Sequence, residues 1–292
     1  MKKSSLIGCT EGIKLSIARP HLMFEVERYN DEVTLVKTAT AMEDGQPIMW
    51  AIAYLIEDTL LDAGCANALE DIEKFAAKTE VNRIYVSHAH EDHYGGCSAF
   101  VPHATIYAME EDIEIIKNPP TIPEFFDFVW GQPKPVEHVE KMPPQFAIGD
   151  LEFEVVPLPG HGHQMVGFHE QNRKWLFSAD AVPVPSRKVI GMPEENIHTM
   201  IETLEKIAEM DIEILFDSHR GPVTSPKEHV QARIDFLKDI RKQVRKLHGE
   251  GKTIPEIQEA LKLDGPWYLA MTQGRFGIDI FLRSLLFDKA KK

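Results

Sequence analysis

This sequence has few cysteines and no long apolar run. Its 292 residues include three cysteines, Cys9, Cys65 and Cys97. An odd and sparse count does not build a disulfide framework and fits a reducing compartment. No apolar run approaches the roughly 18 residues that span a bilayer, and the stretch before Cys9 is shorter than the signal-peptide core of about 7–15 residues. We therefore expect a cytoplasmic protein with a mature N-terminus and no membrane association.

An excess of basic residues is also missing. Lysine and arginine number 32 against 46 aspartates and glutamates, which gives a formal charge of −14. Such a surface repels phosphate backbones and anionic lipids, so nucleic acid and membranes are not expected partners, although a local basic groove is compatible with the total. A small-molecule substrate is the expected partner.

Strand-like and helix-like segments alternate along the first three quarters of the chain. With 43% hydrophobic residues, the chain can bury a substantial core. Short apolar runs predict buried strands at 83–87, 151–158, 175–178 and 212–216, and helices are predicted at 71–78, 110–117 and 194–210. Ser225-Pro226-Lys227-Glu228 matches a capping box that opens a long helix to about 248. We therefore predict an α/β body over 1–224 and a helical extension over 225–292 that packs on it.

A proline-rich segment, residues 119–145, interrupts the α/β body. Its seven prolines exclude long regular structure. The segment also carries four aromatic residues, Phe125, Phe126, Phe128 and Trp130. Long loops in compact domains are often functional, so this one either arches over a pocket as a lid or packs on the body. An exposed aromatic loop is equally compatible with a homodimer interface.

Ligand-type side chains concentrate directly after one of the predicted strands. The segment 88–93 reads His-Ala-His-Glu-Asp-His. In extended backbone His88 and His90 share one face, whereas Asp92 and His93 turn into the following loop. Imidazole and carboxylate groups suit zinc, iron or manganese. The segment therefore predicts a metal site that is divided between two adjacent positions.

Three further strand ends present the same kinds of side chain. His161 follows a strand and a Pro-Gly turn, whereas Asp180 and His219 each follow a short apolar run. Each is a weak signal by itself, because a single histidine after a strand is more often structural. Together, in this order along one chain, they strengthen the metal-site prediction. His163 is an alternative to His161 as the ligand.

With these motifs the chain resembles the metallo-β-lactamase-fold hydrolase superfamily, and within it the glyoxalase-II-like and β-lactamase-like-protein-2-like branch. The resemblance runs from Leu60-Leu61-Asp62-Ala63-Gly64 to Pro222, and its most specific part is His-x-His-x-Asp-His at 88–93. It implies an α/β fold, the four-layer αββα sandwich, with the site at one edge of the sheets. The C-terminal helical extension is also similar to that of this branch.

The resemblance further implies a role for each ligand-type residue. It places two divalent metal ions in the site, with zinc as the expected metal and iron or manganese as alternatives. The implied ligands are His88, His90 and His161 for one ion and Asp92, His93 and His219 for the other, with Asp180 bridging. Asp62 corresponds to a residue that orients the ligands from outside. Asp92 and Asp180 are the candidate catalytic carboxylates.

A binuclear centre predicts hydrolysis through a metal-bridging hydroxide, because coordination lowers the pKa of water and a metal polarises the substrate oxygen. We expect a small ester-like substrate, a thioester or a lactone. Phe126, Trp130 and Arg275 are the candidate pocket residues, and Arg275 or Arg220 would either hold a substrate carboxylate or be structural. Cys65 and Cys97 are expected to be packed side chains.

Three other functions are compatible with parts of the pattern. A metal-dependent phosphodiesterase or endoribonuclease is the main enzymatic alternative, which the acidic charge disfavours. A flavodiiron-type redox protein is disfavoured because such proteins usually carry a carboxylate where this chain has His90, together with a flavin domain. A metal-binding module without hydrolytic activity is disfavoured because structural sites usually close at four ligands, whereas seven ligands for two metals leave coordination open to water.

Overall fold

The computed structural model describes residues 21–101, 103–162, 164–183 and 187–288. In this part of the chain the strands form two sheets. The first sheet has seven strands, which lie side by side in chain order: β1 (His21–Arg28), β2 (Val33–Ala41), β3 (Ala51–Ile56), β4 (Thr59–Leu61), β5 (Arg83–Tyr85), β6 (Thr105–Ala108) and β7 (Val139–Lys141). Neighbours from β1 to β4 are antiparallel, and those from β4 to β7 are parallel.

The second sheet has six strands, and β8 and β13 form its edges. The strands are β8 (Gln145–Ile148), β9 (Leu151–Pro157), β10 (Val166–Glu170), β11 (Trp175–Ala179), β12 (Ile214–Asp217) and β13 (Gly221–Val223). Only β11 and β12 among these are parallel neighbours. Their connection carries a helix, as a parallel crossover requires.

Eight α-helices accompany the sheets in the described ranges. They are α1 (Leu69–Ala76), α2 (Glu91–Tyr94), α3 (Glu110–Lys117), α4 (Glu124–Trp130), α5 (Ile197–Glu209), α6 (Pro226–Gly249), α7 (Ile254–Leu261) and α8 (Ile278–Leu286). None of them combines the length and the apolarity that crossing a bilayer requires.

Three apolar layers hold the elements together. Ile72 of α1 and Ile116 of α3 pack on the outer face of the first sheet. Aromatic rings such as Tyr54 and Phe216 fill the space between the two sheets, where their centroids lie 5.3 Å apart. Helices α5, α6 and α8 cover the outer face of the second sheet. This order of layers confirms the predicted four-layer αββα sandwich.

The helices after residue 224 contribute to one of these layers. Leu237 of α6 and Phe281 of α8 are fully buried in the same cluster as Leu204 of α5. The division of the chain at 224 and 225 stays a prediction, but α6 and α8 share their core with the second sheet.

Two local predictions concern prolines, and one of them differs from the structure. The proline-rich segment contains a seven-residue helix, α4, because the prolines flank residues 124–130 and Pro123 stands at the N-cap, where no backbone donor is needed. The long helix does begin at Pro226, but the capping-box prediction at Ser225 is wrong: its side chain makes no capping hydrogen bond. A reciprocal capping box forms instead between Thr253 and Glu256 at the start of α7.

The parallel strand pairs bring the predicted site together. Strands β4 and β5 are parallel, as are β11 and β12, so the carboxyl ends within each pair lie at the same edge of their sheet. The Tyr54 hydroxyl of the first sheet donates to the Asp217 carbonyl of the second at 2.6 Å. The loops that follow these strands therefore meet at one edge of the sandwich.

Candidate metal centre

The His-Ala-His-Glu-Asp-His segment leaves the first sheet after β5 and turns into a short helix. His90 is still extended, with φ −88° and ψ 148°, and α2 begins at Glu91. His88 therefore lies before the turn, and Asp92 and His93 lie inside it. This is the change of direction that the spacing predicted.

Two glycines allow this turn to pack against the neighbouring backbone. A Cβ atom on Gly96 would overlap the carbonyl oxygen of Ala63, and one on Gly95 would lie 2.6 Å from the backbone nitrogen of Ala66. Both positions therefore require glycine, which explains the Gly-Gly pair just after the motif.

The first group of ligand-type side chains consists of three imidazoles. His88 Nε2 lies 3.0 Å and His161 Nε2 lies 3.1 Å from His90 Nδ1. The ligand atoms of the group all lie within 4.8 Å of one another, which is close enough to hold one metal ion. His161 and His88 are buried and His90 is half-buried.

The second group combines two imidazoles with two carboxylates. His93 Nε2 lies 3.6 Å from Asp92 Oδ2, and His219 Nε2 lies 3.8 Å from the same oxygen. Asp180 completes the group, whose ligand atoms also lie within 4.8 Å of one another. A second metal ion could be held here.

Asp180 contacts both groups. Its Oδ2 lies 3.1 Å from His219 Nε2 and 3.3 Å from His161 Nε2, and its Oδ1 lies 3.3 Å from His93 Nε2. The preceding residue, Ala179, has φ +46°, a left-handed conformation that residues other than glycine rarely adopt. The backbone is thus strained where it presents the one carboxylate that can serve both groups.

The outer ring nitrogen of each histidine also has an oxygen partner. His88 Nδ1 contacts Ser87 Oγ at 3.1 Å, and His90 Nε2 lies 3.6 Å from Glu194 Oε1. The other three rings donate from Nδ1: His93 to Asp62 at 2.8 Å, His161 to Glu195 at 2.9 Å, and His219 to the Trp50 carbonyl at 2.6 Å. A hydrogen-bond acceptor favours the neutral tautomer in which the ring nitrogen facing it carries the proton. The other ring nitrogen then has a free lone pair, which can bind a metal ion. Hydrogen bonds on the outer side thus orient four of the five rings, and His90 has the longer contact with Glu194.

Asp62 also organises the loop that carries the motif. Its Oδ1 accepts from the Ser87 backbone nitrogen at 2.7 Å, and its Oδ2 accepts from the Ser87 hydroxyl at 2.9 Å as well as from His93. Asp62 has φ +62°, so it is a second strained residue beside the centre. Asp62 lies outside the two ligand groups, and its role in orienting the ligands stays a prediction.

Two of the atoms that point into the site lack a hydrogen-bond partner, and a cation could bind both. His93 Nε2 and Asp180 Oδ1 are buried and have no hydrogen-bond partner. Leaving such groups unsatisfied is unfavourable, whereas a divalent cation accepts electron pairs from both atoms. The residues present therefore fit a metal centre.

Burial would lower the pKa of His93 and His219, but neighbouring carboxylates raise the first well above its usual value and the second to about 9, so a metal ion would displace a proton from each ring. Burial lowers the pKa of His88 well below its usual value, and the neighbouring His93 adds to this shift. Burial would raise the pKa of Asp180, but His219 and His93 hold it well below its usual range. Asp180 is thus an ionised ligand and His88 a neutral one, as metal coordination requires.

A cavity of about 290 Å³ opens above the two groups. We call the seven ligand-type residues of the two metal groups the floor, and five of them line the cavity: His90, Asp92, His161, Asp180 and His219. We call the opposite side the roof: it is formed by α4 and residues 264–276. The three candidate pocket residues, Phe126, Trp130 and Arg275, all belong to the roof, and their part in substrate binding stays a prediction.

Arg275 is already paired within the protein. Its guanidinium makes a two-pronged ion pair with the buried carboxylate of Glu91, one contact of which, Nη2 to Oε2, is 2.8 Å long. The guanidinium carbon also lies 4.4 Å from the centre of the Phe126 ring. These contacts favour the structural alternative for Arg275. Arg220 is not among the residues that line the cavity.

Sequence reasoning missed the glutamates around the first group. Glu194 and Glu195 precede α5, and the Asn196 side chain caps that helix. Burial would raise the pKa of Glu195, but Lys188 and the hydrogen bond from His161 lower it to about 2. No local pattern marks these glutamates as inward-facing. Their only sequence signal is that two acidic residues stand together at the start of a predicted helix.

The two cysteines in the described ranges are not among the ligand-type residues of the centre. Cys65 and Cys97 are fully buried, and burial raises the pKa of the Cys65 thiol to about 12. His163 and Cys9 lie outside the described residues.

Comparison with known protein families gives a match over most of the α/β body. The family is described as the metallo-beta-lactamase superfamily, and its sequence pattern matches residues 53–219, more than half of the chain. The match includes all seven ligand-type residues. A curated relative, the hydroxyacylglutathione hydrolase of Aeromonas hydrophila, is 24% identical over 227 residues, which are 71% of this chain and 77% of the relative.

Solved structures share the fold. A beta-lactamase domain protein from Burkholderia ambifaria is similar with a TM-score of 0.67 and 15% identity, over 90% of this chain and 87% of that one. A metallo-beta-lactamase family protein from Thermus thermophilus is similar with a TM-score of 0.61 and 15% identity, over 92% of this chain and 93% of that one. At these identities the likeness shows a shared architecture.

Proposed function

Since this chain belongs to the metallo-beta-lactamase superfamily, we propose that it hydrolyses a small ester-like substrate, a thioester or a lactone, at a centre of two divalent metal ions. Membership makes the chain a metal-dependent hydrolase, and the substrate and the metals are the proposed part. Zinc is the proposed metal, with iron or manganese as alternatives. The observation that carries the proposal is that two adjacent donor groups form the floor of a small apolar-walled cavity.

The residues of the floor have separate tasks in this proposal. His88, His90 and His161 would hold one ion, and Asp92, His93 and His219 the other, with Asp180 between them. Bound divalent ions would activate a water molecule and polarise the substrate oxygen. Asp92 and Asp180 line the cavity, so we assign both to orient that water and Asp92 to take up its proton.

The shape of the cavity supports a small substrate. Its volume of about 290 Å³ is at the lower end of small-molecule pockets. Apolar side chains such as Met49, Phe126 and Ile190 line much of it, so an apolar acyl group would be desolvated there without loss of hydrogen bonds. The Aeromonas relative is named as a hydrolase of hydroxyacylglutathione, which supports an S-acyl substrate.

The setting of the enzyme is part of the same proposal. We infer a cytoplasmic protein that acts on a small molecule and needs neither nucleic acid nor a membrane. A homodimer is compatible with the exposed Trp267 on the outside of the roof, whose exposure is 61%. Oligomeric state stays a prediction.

A substrate panel tests the proposal. Protein loaded with zinc, iron or manganese would be assayed with acyl thioesters, lactones, a phosphodiester and single-stranded RNA. We expect hydrolysis of a thioester or a lactone, loss of activity on chelation, and recovery when the metal is restored. Cleavage of only the phosphodiester or the RNA would replace our proposal with the nuclease alternative. Metal binding without any hydrolysis would favour a binding module.

A further inference from the structure

Glu195 is a buried carboxylate that contacts a candidate ligand from outside. It is 3% exposed, and its Oε1 accepts a hydrogen bond from His161 Nδ1 at 2.9 Å. Its Oε2 accepts from the backbone nitrogen of Met192 at 3.0 Å. Two donors thus approach two different oxygens. A glutamine in this position would present its NH₂ group to one of them, so only a carboxylate satisfies both.

The segment that carries Glu195 is fixed by the C-terminal helix. Gly191 and Gly277 exchange two backbone hydrogen bonds of 3.0 Å each. The backbone nitrogen of Ile197 donates to the hydroxyl of Ser284 in α8, also at 3.0 Å. Glu195 therefore lies on a stretch whose two ends are both tied to the region after residue 276.

The second ligand group has a different support. His93 depends on Asp62, which follows β4 in the first sheet, and His219 depends on the carbonyl of Trp50, just before β3. Neither contact involves α8 or the segment 191–197. In the first group His161 is thus oriented from the C-terminal side of the molecule, whereas His88 contacts Ser87, and His93 and His219 are oriented from the N-terminal sheet.

We propose that Glu195 is a positioning residue that holds the His161 ring with Nε2 toward His88 and His90, and thereby sets the metal affinity of the first group independently of the second. This inference rests on the proposed two-metal centre. A fixed tautomer and ring orientation raise the affinity of a histidine ligand, and loss of such a partner typically lowers metal affinity about 10–100-fold.

Stepwise metal binding tests the inference. Metal-free wild-type protein, Glu195→Gln and Asp62→Asn would be titrated with Zn²⁺ in competition with a chromophoric chelator. We expect wild-type protein to bind two equivalents and Glu195→Gln to weaken one binding step about 10–100-fold. Asp62 contacts His93 directly and His88 through Ser87, so Asp62→Asn should weaken the other step in addition to any effect on the first. Glu205→Gln is the matched control, because Glu205 lies on α5 and pairs with Lys238 at the surface. It should leave both steps unchanged.

A second variant, Glu195→Asp, allows the test to be made if Glu195→Gln does not fold. Glu195→Asp keeps the charge but shortens the reach to His161, so it should weaken the same step as Glu195→Gln. In the zinc-loaded protein, the proton resonance of His161 Nδ1–H should move upfield in Glu195→Gln because its charged acceptor is lost.

Three results would overturn the inference. Wild-type affinity at both steps in the two Glu195 variants would do so, as would equal weakening of both steps. An effect of Asp62→Asn that is confined to the step weakened by the Glu195 variants would also do so. Failure of the proposed substrate is a separate outcome, since a wild-type protein that binds two zinc ions but hydrolyses no thioester or lactone still yields the two binding steps that decide the role of Glu195.

Discussion

The floor and the roof of the cavity are held in place by different kinds of contact. Floor histidines are oriented by directional hydrogen bonds, such as those to Asp62 and Glu195. Roof residues meet mainly through aromatic rings: Phe125 stacks on Tyr268 with centroids 5.6 Å apart. Directional bonds fix angles, whereas ring packing tolerates substitution by other apolar groups. We therefore expect the floor to determine the reaction and the roof to determine which substrate fits.

The largest expected effect is in the floor. In Asp180→Asn the amide nitrogen would face an imidazole, so one of the two groups loses its shared ligand. We expect kcat/KM for the best ester substrate to fall at least about 10³-fold, which is about 4 kcal/mol of transition-state free energy. Bound metal, measured by elemental analysis, should fall as well. Asp71→Asn, at an exposed ion pair on α1, is the control. If Asp180→Asn kept its full metal content and more than a tenth of the activity, the floor would not determine the reaction as we expect.

An intermediate effect is expected where the roof is tied to the motif. Arg275→Met would leave the Glu91 carboxylate, which is 5% exposed, without its guanidinium partner. Removing one partner of a buried ion pair costs about 3–5 kcal/mol. Because 23% of the Arg275 side chain is exposed, we expect the free energy of unfolding to fall by about 2–3 kcal/mol. Urea denaturation monitored by circular dichroism would measure it.

A double variant is the control for this ion pair. Glu91→Gln combined with Arg275→Met removes the charge that Arg275→Met leaves behind, so it should recover part of the lost stability. Equal stability of the single and double variants would mean that the pair contributes little and that the roof is held by its rings alone.

The smallest expected effect concerns selectivity at the roof. Phe126 lines the cavity, so Phe126→Leu should lower kcat/KM about 10-fold for substrates that fill it. The smallest acyl substrate should change less than about 2-fold, because it makes no contact that depends on the ring. Phe128→Leu is a matched control, since Phe128 belongs to the same apolar cluster but does not line the cavity. Equal loss for both substrate sizes would assign Phe126 a role in the floor's geometry.

The ligand-type residues of the floor could be found in the sequence because they are local to strand ends. His88, His161, Asp180 and His219 each stand just after an apolar run, and parallel pairing brings such ends to one edge. Their support could not be found in the same way. Glu195 faces His161 only because α8 fixes the segment 191–197, which is a tertiary contact without a local pattern.

The roof was predictable in composition but not in contacts. The aromatic residues of 119–145 marked a lid or a packed loop, and the structure shows buried rings that also line the cavity. The partner of Arg275 could not be predicted, because Glu91 lies far away in the sequence. Helix α4 could have been recognised from the proline-free run between Pro123 and Pro133.

The floor of the cavity is synthesised before the roof is complete. The last floor residue is His219, whereas the roof needs residues 264–276. Synthesis proceeds from the N-terminus at about 5–20 residues per second, and domains fold as they emerge. A growing chain would therefore carry all seven floor residues for several seconds before the roof is made, but His161 would reach its final orientation only when α8 fixes the segment 191–197. Tight binding of the first ion would thus wait until synthesis has also supplied the roof that covers the floor.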